Sequence, residues 1–411
     1  MIKQRRNIIA VLDIGGSKIL CVIAKIAADN QLEILGHGSH IADGIKSGII
    51  TDLQAATESI AHAVGIAEQS CGIRVHDIYV NIASNNLISH QLTAEVDVMG
   101  HEINSKDLSK LLLQVVDKYK TQQVSIVHSF VYDYSLDGNR GIVNPLGMYG
   151  GTLSCEVNVL VSPGNIVTNL SNCLAKCQLD VTGYISSSYS TGLACLTQDE
   201  MKLGCILLEI GSHNSAISVF ANGQMIFTDG IPIGGYHVTN DIAKGLGITY
   251  AQAERIKILY GTAVGTTIDS KEQIEIERNL DDADNDEQHL VSKAMLTEII
   301  QARIEEIFEL LDRKAINAGF TISTYKVVLS GGCVNLNGLK ELAEHMLSAK
   351  IKIGSTKTLI AGLDNDGKNP LFLTAIGMLQ HVINITKSAP HKNGNVSIGT
   401  KFIQWIRDHF I

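Results

Sequence analysis

The chain has 411 residues, 45% of them hydrophobic and 18% charged, enough to build two or more compact units with substantial cores and unlike a disordered composition. With 33 Lys and Arg against 42 Asp and Glu, its net charge of -9 argues against a broad electrostatic grip on nucleic acid. The eight cysteines form no C-x-x-C pair and read as reduced thiols of a cytosolic protein. No stretch approaches the roughly 20 apolar residues that cross a bilayer.

Residues 7–26, "NIIAVLDIGGSKILCVIAKI", read as strand, glycine turn, strand. "ADGIKSGIITDLQAA" from Ala42 leads into a helical pattern, and "HDIYVNIAS" from His76 returns to a strand. Asn85 to Ser162 looks inserted: "VSIVHSFVYDYSLD" and "TLSCEVNVLVSP" are strand-like around the turn-rich "GNRGIVNPLGMYGG", as in a small α+β subdomain. Cys173 and Cys177 stand at helical i,i+4 spacing, as two core thiols would.

From Leu203 the plan repeats. "LGCILLEIGSHNSAISVFANGQMIF" is a second strand-turn-strand, "TDGIPIGGYHVTNDIA" from Thr228 a second connection into a helix, and "YKVVLSGGCVNLNGL" from Tyr325 a second return strand, with a helix from near Leu339. A duplicated mixed sheet flanked by helices, with a cleft between the copies, is the α/β architecture this implies. A second insertion, about Ile248 to Gly319, carries a helix in which Leu296, Ile299, Ile300, Ile304, Ile307 and Leu311 recur at three- and four-residue steps. The acidic "DDADNDE" from Asp281 reads as a solvated loop, because it lacks the glycine and terminal Glu of a calcium loop.

Beyond Lys387, "SAPHKNGNVSIG" reads as a linker into "TKFIQWIRDHFI". At about 100° per residue, Phe402, Ile403, Trp405, Ile406 and Phe410 share one apolar arc of a helix. Trp405 is the only tryptophan of the chain. Such a helix either folds back on a core or lies on a membrane surface, and the linker and aromatics favour the membrane.

Small residues in the "DIGGSK" turn let backbone N–H groups approach an anion, with Ser17 adding a hydroxyl and Lys18 a charge. Asp13 is placed to orient water on a nucleotide-bound Mg²⁺. Taken alone such a stretch is more often a plain turn; its repetition near Gly211 strengthens the phosphate reading. In "SGGCVNLNGL" a strand runs into paired glycines, which serve either a helix entry or close approach to a bound base or phosphate. No cluster of metal-ligand residue types stands out beyond these carboxylates.

These stretches together resemble the actin, Hsp70 and sugar-kinase superfold, and within it the FtsA family of bacterial cell-division proteins, over nearly the whole chain. The resemblance implies actin-like (ribonuclease H-like) halves: residues 1–84 with 163–198, and 199–247 with 320–387. It further implies an inserted FtsA-type subdomain at 85–162, a second subdomain at 248–319, a linker at 388–399 and an amphipathic helix at 400–411. By resemblance Asp13, Gly15, Gly16, Ser17 and Lys18 belong to the first phosphate hairpin, Gly211, Ser212, His213 and Asn214 to the second, and Gly235 to the following connection. Gly331, Gly332 and Cys333 match the adenosine segment, while Glu254 and Lys257 match the helix near ribose and base.

Glu254 and Lys257, three apart, would otherwise be an exposed helical ion pair. The second hairpin departs from the family pattern, with Glu209 and Ala216 at its acidic positions and His213 and Asn214 where Gly and Thr are usual. That makes rapid hydrolysis doubtful and assigns no catalytic residue. The resemblance implies ATP with Mg²⁺ as ligands and self-association into filaments at the cytoplasmic face of the bacterial inner membrane. It also implies tethering of the FtsZ ring at the septum and contact with later division proteins. Arg303 matches a basic position for the acidic FtsZ tail; flanked by Glu305 and Glu306, it is equally an intrachain ion pair. A pilus-type scaffold like PilM, or a small-molecule kinase or phosphatase, is the alternative within the superfold.

Overall fold

The computed structural model describes residues 7–27, 31–119, 123–265, 272–276, 289–356 and 370–388. The acidic run at 281–287, the linker and the amphipathic tail lie outside them. Among the described residues, no helix is long and apolar enough to cross a membrane.

The first hairpin pairs β1 (Ile8–Ile14) with β2 (Lys18–Ile26), and β3 (Leu32–Ile41) pairs antiparallel with β2. Both hairpin strands are nearly continuous apolar runs, the mark of strands covered on both faces. The small ladder of β4 (Ile45–Lys46) and β5 (Ile49–Ile50) precedes α1 (Leu53–Cys71). Asp52 caps α1 by accepting from the amides of Gln54 and Ala55, at 2.9 and 3.1 Å. β6 (Asp77–Ile82) returns parallel to β1.

The inserted segment forms β7 (Ile88–Asp97), α2 (Ser105–Asp117), β8 (Val124–Leu136), β9 (Asn139–Ile142) and β10 (Thr152–Pro163). Its sheet runs β7-β10-β8-β9. Leu111 and Val115 of α2 pack with Leu153, Cys155 and Val157 of β10 in its core. The chain then resumes with α3 (Gly164–Lys176), β11 (Asp180–Ser186), α4 (Ser187–Cys195) and α5 (Gln198–Leu203). Cys173 is buried and bonds Thr57 Oγ1 at 3.3 Å, while Cys177 bonds the Thr57 carbonyl at 3.4 Å.

The second hairpin is β12 (Cys205–Ile210) and β13 (Ser215–Ala221), followed by β14 (Gln224–Ile231), α6 (Gly235–Leu246) and α7 (Tyr250–Tyr260). β15 (Gln273–Ile276) and β16 (His289–Ser292) form a ladder before α8 (Lys293–Asn317). Leu296, Ile300, Ile304, Ile307 and Leu311 are the buried stripe of α8, as its periodicity predicts. β17 (Lys326–Ser330), α9 (Leu339–Leu347), β18 (Ile351–Ile353) and α10 (Leu373–Ser388) complete the chain.

The two large sheets carry one plan. The first runs β11-β6-β1-β2-β3 and the second, written from its other end, β18-β17-β12-β13-β14. The duplication expected from the repeated hairpins is therefore present in strand order. Two compact units emerge: one takes its described residues from Met1–Leu207, Ser218–Asp229 and Ser355–Ile411, the other from Leu208–Ile217 and Gly230–Gly354. In the first unit α10 packs on α4 so closely that a Cβ on Gly377 would stand 1.7 Å from the Ser190 carbonyl oxygen.

Candidate functional site

In the first unit, β1 and β2 pair to the end of the hairpin, Ile14 opposite Ile19. The turn closes where the Gly15 amide donates to the Lys18 carbonyl at 3.0 Å. A Cβ on Gly15 would sit 2.8 Å from that same oxygen, so the turn has no room for a side chain there. Gly15 and Gly16 are half-buried and Ser17 is exposed at the tip. Lys18 Nζ lies 5.2 Å from the centroid of the Phe372 ring, a cation-π contact that steadies the charge beside the turn.

Asp13 accepts a hydrogen bond from Asn81 Nδ2 at 2.7 Å. The same amide nitrogen donates to Ser187 Oγ at 3.0 Å, and Asn81 Oδ1 accepts from the Ile14 amide at 2.7 Å. Sequence reasoning missed Asn81 and Ser187. The available signal was a polar residue between the apolar residues of "IYVNI".

In the second unit, the Gly211 amide donates to the Asn214 carbonyl at 2.9 Å, closing a turn like that of Gly15. The start of α6 meets this turn: Gly235 donates to the Gly211 carbonyl at 2.9 Å and Tyr236 to the Ser212 carbonyl at 2.7 Å. The His213 ring stacks on Tyr236 with centroids 4.5 Å apart, and its Nδ1 bonds Ser212 Oγ at 3.1 Å.

Gly331, at φ +92°, would place a Cβ 2.4 Å from the Ile210 carbonyl oxygen, and one on Gly234 would stand 2.4 Å from that of Gly211. Three backbone segments thus meet with no side chain between them. Gly332 opens a single 3-10 turn, and α9 begins only at Leu339. Cys333 Sγ donates to the Gly211 carbonyl at 3.5 Å, and burial pushes this thiol up to about 11, so it is a neutral packing group rather than a nucleophile.

Glu254 and Lys257 of α7 form more than a surface ion pair. Lys257 Nζ donates to Glu254 Oε2 and to Thr239 Oγ1, both at 2.7 Å, and lies 3.4 Å from the Gly235 carbonyl. Thr239, fully buried on α6, bonds Glu254 Oε2 at 2.5 Å. The cluster ties α7 to the first turn of α6. Arg303 of α8 bonds Asp241 Oδ2 through Nε at 2.5 Å, and Glu306 through a terminal nitrogen. Those bonds, Asp241 first, hold its pKa above the ordinary arginine value.

Among the described residues, no three His, Cys, Asp or Glu side chains converge as a metal cluster. The close approaches of Gly331 to Ile210 and of Gly234 to Gly211 pack backbone directly on backbone, with no room for a side chain at either glycine. Phe402, Ile403, Trp405, Ile406 and Phe410 lie outside the described residues.

Comparison with known proteins shows the family of the chain. The family model "Cell division protein FtsA" matches residues 206–377, and the model "SHS2 domain inserted in FTSA" matches residues 84–161. Cell division protein FtsA of Agrobacterium fabrum is 36% identical over 427 residues, spanning 99% of this chain and 96% of that protein. The chain belongs to the FtsA family of cell division proteins. FtsA of Pseudomonas aeruginosa is 32% identical over 92% of this chain and 90% of its own.

In fold, this FtsA-family chain is actin-like. A structure of the PilM-PilN type IV pilus biogenesis complex matches at a TM-score of 0.64 and 15% identity, over 91% of this chain and 98% of the other. MreB 5 of Spiroplasma citri bound to AMPPNP matches at 0.58 and 11% identity, over 93% and 98%.

Proposed function

We propose that this chain binds ATP, assembles into filaments at the cytoplasmic face of the bacterial inner membrane, and tethers the FtsZ ring at the division septum while recruiting later division proteins. The observation that carries this reading is the family membership, which extends over 99% of the chain. In this reading Gly15, Gly16, Ser17 and Lys18 receive phosphates, with Gly211 to Asn214 as the second phosphate turn. Gly235, Gly331, Gly332 and Cys333 back the adenosine, and Glu254 and Lys257 approach the ribose. Asp13 orients water on the nucleotide's Mg²⁺, which supplies charge neutralisation when bound.

Hydrolysis is weak or absent in this reading. The second hairpin carries Glu209 and Ala216 at its acidic positions, and no carboxylate there is identified as the one that activates a nucleophile. ATP therefore serves to set conformation and assembly. The FtsZ tail, an acidic peptide, meets Arg303 by exchanging with Glu306 or Asp241. The tail arc Phe402, Ile403, Trp405, Ile406 and Phe410 binds lipid weakly one copy at a time, and assembly raises the avidity by about 10² to 10⁴.

The test is co-sedimentation with vesicles of phosphatidylglycerol and phosphatidylethanolamine, using the full chain and a chain ending at Ser388, with and without ATP. The full chain pellets, more so with ATP, and the shortened chain does not. Equal pelleting of the two chains would remove the membrane part of the proposal and favour a scaffold of the PilM kind.

A further inference from the structure

We propose that Asn81 is a positioning residue for the first glycine hairpin, holding the Asp13 carboxylate and the Ile14 amide fixed for a magnesium nucleotide. The inference rests on the nucleotide reading above and assigns a role to a residue outside the hairpin.

Parallel pairing places the side chain. β1 and β6 align Leu12 with Val80, so the next residues, Asp13 and Asn81, lie side by side at the ends of their strands. On the other flank β11 aligns Ile185 with Asn81 and Ser186 with Ile82, which brings Ser187 within reach. Asn81 is 4% exposed, and a buried amide is costly unless each of its groups is satisfied. Here all are: Oδ1 takes the Ile14 amide, and Nδ2 serves Asp13 and Ser187.

The orientation of the amide is forced. A backbone N–H only donates and a carboxylate only accepts, so the oxygen must face Ile14 and the nitrogen must face Asp13. Ile14 is the last residue of β1 before Gly15, and its amide direction sets how the chain enters the turn. One side chain therefore fixes both the carboxylate beside the phosphates and the entry to the turn that would hold them. An apolar residue here would remove the bonds to both groups, and an aspartate would keep the acceptor but set two carboxylates against each other.

The experiment uses the full chain with Asn81→Asp, Asn81→Leu and the exchange Asp13→Asn with Asn81→Asp. Two quantities are read: hydrogen exchange of the Ile14 amide without nucleotide, and ATP affinity with excess Mg²⁺ or with EDTA. N81D keeps Ile14 protected but loses about tenfold or more of the magnesium-dependent affinity, whereas N81L also raises Ile14 exchange by about tenfold. The exchanged pair restores the amide–carboxylate bond and keeps Ile14 protected, and restores folding if N81D alone is unstable, but not the magnesium dependence.

N81D binding magnesium-ATP within about twofold of the parent, or unchanged Ile14 exchange in N81L, overturns the proposal. A parent chain that binds no ATP in either condition overturns the nucleotide reading and the magnesium half of this one. The Ile14 measurement then still decides whether Asn81 holds the hairpin.

Discussion

Thr239→Val tests whether the α6–α7 cluster is a structural hub of the site. Valine keeps the shape and removes one buried hydroxyl, which bonds Glu254 Oε2 at 2.5 Å and receives Lys257 Nζ at 2.7 Å. Thr239 has one hydroxyl proton, and the carboxylate, shorter and charged, takes it ahead of the Gly235 carbonyl at 3.1 Å. Two hydrogen bonds to charged groups contribute about 1.5–3 kcal/mol each. Lys257 and Glu254 keep each other at 2.7 Å and are partly solvated, so the net loss falls below their sum of about 3–6 kcal/mol. A loss of about 2 kcal/mol raises the local opening equilibrium of residues 235–260 roughly 30-fold. Amide exchange of that segment reads it directly, and Thr239→Ser should stay close to the parent. An exchange change under about twofold in Thr239→Val would refute the hub and leave Glu254 and Lys257 as an isolated pair.

Further outcomes follow from other contacts. Gly377→Ala forces α10 away from the Ser190 carbonyl, from 1.7 Å to an ordinary contact, an overpacking cost of about 3 kcal/mol. The thermal midpoint should fall by about 3–5 °C, and a shift under about 1 °C would show that α10 yields freely. Asp241→Asn removes an anionic partner of Arg303 and should strengthen binding of an acidic FtsZ-tail peptide, whereas Arg303→Ala should weaken it. Affinities unchanged in both variants exclude Arg303 from that contact. In the inserted subdomain, Asp107 is held below the ordinary aspartate value by the Asn104 amide first and by His101 second. A depressed carboxylate stabilises the fold above its unfolded value of about 4, and that stability is lost as pH falls toward the folded value. The protection factors of the α2 amides, exchange corrected for its intrinsic pH dependence, should therefore fall on acidification below about pH 4, less steeply in Asp107→Asn; a rise would contradict the sign.

Both hairpins and the long helix were legible in the sequence because each is written locally. Paired or single glycines stand between apolar runs at residues 14–18 and 210–214, and apolar steps of three and four mark α8. Asn81, Ser187 and Thr239 were not legible. Asn81 meets Asp13 across 68 residues and Ser187 across 106, contacts made by parallel strand pairing that no window of sequence contains. Nothing local in the sequence sets Thr239 apart from other polar positions of α6, and only the packing of α7 on α6 shows that its hydroxyl is buried between a lysine and a glutamate. Gly331 was read for access to a ligand, and in the structure it also meets a requirement of the backbone itself, the 2.4 Å approach to Ile210.

The two hairpins share a place in the strand order but are secured by different means, and this bears on the altered second copy. The first is held from behind by a side chain, Asn81, acting on Asp13 and Ile14. The second is held by the backbone of α6, whose first two amides take the Gly211 and Ser212 carbonyls, with His213 stacked on Tyr236 over them. His213 therefore adds a ring that packs onto the neighbouring helix while Gly211 and Asn214 close the turn. The chemistry predicts opposite sensitivities. The first hairpin should respond to changes in hydrogen-bonding side chains at its base, and the second to any Cβ introduced at Gly234 or Gly235, where 2.4 and 2.7 Å separate the added atom from Gly211 and Cys333. Exchange of the Gly235 and Tyr236 amides in Gly234→Ala, set beside Ile14 in N81L, measures both. Equal loosening of the two hairpins by either change would mean that they are secured as one element.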